Sequence, residues 1–83
     1  MDPDNIDTIL LHYVNQSPGK SYRFYASRFW NEHTSLSRAG AIFRLERLKA
    51  HGFVTVSQIN NRLCAISLTD QGRQVISSGV LQA

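Results

Sequence analysis

The sequence predicts a small α+β domain: three helices, a two-stranded hairpin and a short last helix. Three observations predict it. Apolar residues recur at helical spacing in three successive segments before Gly52. After Gly52 the period switches from 3.6 to 2. A polar Asn60-Asn61 pair then divides the alternating stretch into two strands. With 83 residues the chain is expected to form one domain over 1–83, with its core at about 4–78 and a frayed tail at 79–83.

The first helix opens at Asp2-Pro3, a capping side chain followed by a proline whose missing N–H costs nothing there. Ile6, Ile9, Leu10, Tyr13 and Val14 form its inner stripe, and three aspartates suit its positive end. The helix runs to about Asn15, where Ser17-Pro18-Gly19 stops it. Lys20 to Phe24 reads as a short strand or as an extended lead-in. Tyr22, Ala26, Phe29 and Trp30 then resume the helical period, and Phe29 and Trp30 are expected in the core. This second helix ends near Glu32 or His33.

Ser35 or Ser37 caps the third helix, at about 36–51. Leu36, Ala39, Ile42, Leu45 and Leu48 make its inner face, and His51-Gly52 ends it. Its other face carries Ser37, Gly40, Arg44 and Arg47, with Arg38 on the flank. The strand Phe53–Ser57 sets Val54 and Val56 on one side. Leu63–Leu68 is the return strand, with Cys64, Ile66 and Leu68 on one face. Cys64 there reads as a buried structural cysteine rather than a redox switch. Thr69-Asp70 caps the last helix, which runs through Val75 and Ile76 to Ser78-Gly79.

Charge is uneven. Residues 1–19 hold three acidic groups and no Lys or Arg, whereas residues 20–83 hold nine basic and three acidic groups. A basic body of this kind suits a polyanion. Catalytic chemistry finds no foothold: there is no glycine-rich phosphate loop, no HExxH and no GxSxG. His12, His33, His51 and the lone Cys64 lack metal-ligand spacing, so no metal and no cofactor is expected. One cysteine also excludes an internal disulfide and points to a reducing, cytoplasmic setting. No apolar run is long enough to cross a membrane as a helix.

Two helices joined by a short turn make a helix-turn-helix, and a hairpin directly after them is a wing. Two segments carry a closer likeness. Leu45-Glu46-Arg47-Leu48-Lys49-Ala50-His51-Gly52-Phe53-Val54 looks like a recognition helix running into the first wing strand. Ile66-Ser67-Leu68-Thr69-Asp70-Gln71-Gly72-Arg73 is similar to the "Y-x-LT-x-x-G-R" passage from the second wing strand into the next helix, with Ile66 at the Tyr position. On these residues the chain resembles the winged helix-turn-helix core of MarR- and PadR-type regulators, over about residues 4–78. The long flanking helices that MarR-type proteins use for dimerisation and effector binding have no counterpart here.

The resemblance implies a small, non-enzymatic regulator that binds double-stranded DNA, prokaryotic or viral, cytoplasmic and nucleoid-associated. The third helix would lie in the major groove, with Ser37, Arg38, Gly40 and Arg44 meeting bases. Gly40 reads equally as a close-approach position and as a tolerated glycine. Lys20, Arg23, Arg28, Ser35 and Arg47 would meet phosphates, and Asn60, Asn61 and Arg62 at the wing would meet the minor groove or backbone. A single module covers little DNA, so a homodimer is expected. The alternative is a protein-interaction module, a subunit of a complex or a phage-type inhibitor of a host protein. An exposed aromatic patch beside arginines locked in ion pairs would favour it.

Overall fold

A computed structural model describes residues 4–33, 36–60 and 64–77. Its element order is α1 (Asn5–Gln16), α2 (Tyr22–Glu32), α3 (Arg38–Ala50), β1 (Val54–Gln58), β2 (Cys64–Leu68) and α4 (Asp70–Ser77). The strands pair antiparallel, with Val54 opposite Leu68, Val56 opposite Ile66 and Gln58 opposite Cys64. This is the order expected from the sequence.

Local chemistry sets each boundary. Helix α1 carries a capping box at Asp4, since the Asp4 carboxylate accepts the Asp7 N–H and the Asp7 carboxylate accepts the Asp4 N–H. Ser21 caps α2 and Ser37 caps α3, each accepting the backbone N–H three residues on. Gly52 ends α3 at φ 83°, the left-handed conformation that favours glycine. Thr69 does two jobs at α4: its hydroxyl accepts the Gly72 N–H and donates to the Gly52 carbonyl. Lys20 proves to be neither a full strand nor free chain, because it forms a single antiparallel bridge with Ile66 before α2 starts.

One core joins all six elements. Leu10, Leu11 and Val14 of α1, Tyr25, Ala26 and Phe29 of α2, Ala41, Leu45 and Leu48 of α3, and Val54, Ile66 and Leu68 of the sheet are buried together. Three expectations need correction. Trp30 is 38% exposed and lies outside the core. Tyr25 takes the inner position instead, and its hydroxyl stays satisfied there by donating to the Ser17 carbonyl and accepting the Lys20 N–H. Ala39 is exposed, whereas Ala41 is buried. Cys64 is half-buried, not enclosed. The expected cap at Asp2-Pro3, Leu63, the stop at Ser78-Gly79 and the tail at 79–83 lie outside the described residues.

Candidate nucleic-acid interface

The inner face of α3 is set by Ala41, Leu45 and Leu48. At 100° per residue, the opposite face holds Ala39, Phe43, Glu46 and Ala50, and all four are exposed. Arg38, Ile42 and Lys49 share one flank. Gly40, Arg44 and Arg47 share the other, which turns toward the start of α1.

This corrects the expected outward face. Arg44 is hydrogen-bonded to the Asp4 carboxylate and lies 3.5 Å from Asp7, while Arg47 donates to Asp7 at 3.1 Å. Asp7 is fully buried, so these pairs tie the α1 N-terminus to the middle of α3. Burial works to raise the Asp4 pKa. The Asp7 N–H and the Arg44 guanidinium outweigh it and hold the carboxyl below the usual carboxylate range. The bond to Asp4 in turn raises Arg44 further.

A carboxyl depressed in the fold stabilises it above its unfolded pKa, and that stability is lost as pH falls through the lower folded value. Acid should therefore loosen α1 from α3 below the ordinary carboxylate range. Asp4→Asn should flatten that acid limb while changing stability little once the wild-type carboxyl is protonated. Thermal melts across an acidic pH series check this, and parallel curves for the two proteins would refute it.

The other expected residues differ in what holds them. Arg28 is occupied: it stacks 4.3 Å from the Tyr13 ring centroid, bonds Glu32 at 2.9 Å and reaches the Gln16 side chain. Its bond to Glu32 leads in holding that carboxyl low. The Ser37 hydroxyl is taken by its cap. A Cβ at Gly40 would meet the end of Leu36 at 2.7 Å, so the missing side chain makes room for Leu36. Lys20 rests over the Phe24 ring at 5.6 Å. Among the described residues, Arg23, Arg38 and Lys49 pair with no carboxylate. Asn60 is exposed beyond β1. Ser35, Asn61 and Arg62 lie outside the described residues.

Arg23 and Arg38 line one shallow groove between α2 and α3, together with Ala26, Ala39 and Ile42. They also stand in the first turns of their helices. Helix α1 has Asp7 in its first turn and α4 has Asp70, but α2 and α3 have no acid there. A cation at a helix N-terminus opposes the dipole, at a cost of about 0.3–1 kcal/mol when no anion is present. Two such ends meet at this groove, and an incoming anion would reverse both penalties.

Sequence reasoning missed Phe43, which is 62% exposed on the outward face. Its signal was helical spacing: Phe43 stands about 160° from both Leu45 and Ala41 around the axis, opposite the inner face. Among the described residues there is no cluster of His, Cys, Asp and Glu fit to hold a metal, and no helix is long and apolar enough to cross a membrane.

No protein-family model and no curated protein matches the sequence. Among solved structures, the chain is similar to the transcriptional regulator BldR from Sulfolobus solfataricus, with a TM-score of 0.75 at 20% sequence identity. The match covers 99% of this chain and 57% of that one, so the chain spans a little over half the length of the regulator. Element order and this likeness together make the fold a winged helix-turn-helix, as the resemblance implied.

Proposed function

We propose that the chain binds double-stranded DNA as a small transcriptional regulator, without catalysis, with α3 in the major groove. The observation that carries this reading is the groove between α2 and α3, where two arginines that pair with no carboxylate among the described residues stand in the first turns of helices that lack acids there. The fold it shares with a transcriptional regulator supports it. Arg38 opens α3 and meets base edges or the adjoining phosphate, while Arg23 and Lys20 at the start of α2 meet the backbone. Arg62 and Asn61 keep the wing role that the resemblance gives them. Arg28, Arg44 and Arg47 serve the fold first, because their guanidinia are already engaged. One module covers roughly 600–1,000 Å² of protein surface on DNA, so two copies on a two-fold-related site are the expected form.

Fluorescence anisotropy of labelled duplex at two salt concentrations tests this. Binding should weaken steeply with salt. Arg38→Ala should lower affinity by about 1–3 kcal/mol and relax sequence preference, whereas Arg23→Ala should weaken all duplexes alike and lower the salt slope by about one. Binding that ignores salt, or is unmoved by both substitutions, would sink the reading.

Two observations favour the interaction module as a second reading: Phe24, Trp30 and Phe43 are all large, apolar and more than a third exposed, and Arg44 and Arg47 are locked in ion pairs with Asp4 and Asp7. No duplex binding at low salt, with capture of a protein that Trp30→Ala abolishes, would establish it.

A further inference from the structure

The outward face of α3 is apolar where a groove-reading helix would carry polar fingers. Phe43 projects from its centre at 62% exposure, with Ala39 one turn before it and the half-buried Ile42 beside it. Folding gains little from an aromatic ring left in water. Arg38 and Lys49 stand together on the flank that Ile42 shares and pair with no carboxylate among the described residues. A patch with an apolar centre and a cationic edge complements the major groove, whose walls are phosphates and whose floor carries one apolar group, the C5-methyl of thymine. Glu46 shares the outward face one turn beyond Phe43 and is exposed. Its carboxylate is repelled by the phosphate walls, so in the groove it needs a donor on a base edge, which the cytosine N4 amino group supplies.

Resting on the DNA-binding reading above, we infer that Phe43 is a specificity-determining residue that packs on thymine methyl groups, with Ala39 leaving room beside it. The preferred site therefore carries thymine opposite the middle of α3. Preference arises there from covering a methyl, without a hydrogen bond from that residue. Arg38 supplies the attraction on the flank and is indifferent to the methyl.

The test uses the full chain and duplexes enriched from a library with a randomised core. Each thymine in an enriched duplex is then replaced by deoxyuridine, which removes the methyl and leaves every hydrogen-bonding group. At one or two positions the replacement should weaken binding about fourfold, the affinity equivalent of one buried methyl. Phe43→Ala, at an exposed position that the fold does not need, should bind thymine and deoxyuridine duplexes alike. Arg38→Ala should lose affinity for both and keep their ratio. If the wild type binds but deoxyuridine costs nothing at any position, or if Phe43→Ala retains the discrimination, the inference about Phe43 fails while DNA binding stands. If no duplex is enriched, the DNA-binding reading itself fails.

Discussion

Alanine at position 72 should cost the fold about 3 kcal/mol or more, at or above the top of the usual range for overpacking. Gly72 is buried in the first turn of α4. A Cβ there would lie 2.1 Å from the Phe53 carbonyl oxygen and 3.2 Å from a Leu68 methyl. The first is backbone, so no rotamer change relieves it. The same carbonyl accepts the Thr69 N–H at 3.2 Å, which fixes its distance from α4. Thr69 adds a second tie through its bond to the Gly52 carbonyl. Alanine must therefore lift α4 from the corner between α3 and β1, or break that corner. At about 4–8 °C per kcal/mol for a domain of this size, the melting point should fall by roughly 12–24 °C. Urea unfolding with an unchanged m-value measures it. Gln71→Ala, at the neighbouring exposed position, should shift the midpoint little. An unaltered midpoint for Gly72→Ala would mean that α4 docks differently. The contact also gives a physical reason for the glycine in the segment that carries the family likeness.

That segment shows what was legible in the sequence. Caps and stops are local, and Ser37, Gly52 and Thr69 act where their types predict. The strands follow from alternation alone. What was not legible depends on partners far along the chain. Arg44 and Arg47 read as an outward basic stripe because their partners Asp4 and Asp7 precede them by about forty residues. Periodicity carries no sign of such a pair. Trp30 read as core because it follows Phe29, yet the buried face of α2 is Tyr25, Ala26 and Phe29, which leaves Trp30 at its edge; Tyr25 can be buried because its hydroxyl finds partners in the loop at Ser17 and Lys20. With the arginine stripe turned toward α1, the outward face rotated onto Phe43. A helix face inferred from charge alone can be wrong by a quarter turn or more when a buried acid draws the charge inward.

Loss of that buried acid should be nearly as costly as alanine at 72. Asp7→Ala should destabilise the domain by about 2–4 kcal/mol, since breaking a buried ion pair strands the surviving charges. The lower end applies if solvent reaches the guanidinia, because the Arg44 and Arg47 side chains are 22% and 36% exposed. Asp7→Asn should fall between wild type and alanine, keeping an oxygen acceptor but losing the charge. A double-mutant cycle separates the pair from general damage to α1: Asp7→Ala combined with Arg47→Ala should cost less than the two single changes together. Strict additivity would mean that the pair adds nothing beyond packing. The cycle also bears on function. If Arg44 and Arg47 serve as the clamp that orients α3, Arg47→Ala lowers the melting point and leaves the salt slope of DNA binding unchanged. A slope lowered by about one would instead give Arg47 a phosphate contact of its own. The geometry favours the clamp. A guanidinium bound to a fully buried carboxylate must leave that partner uncompensated before it can reach a phosphate, whereas Arg38 has no carboxylate partner to leave among the described residues.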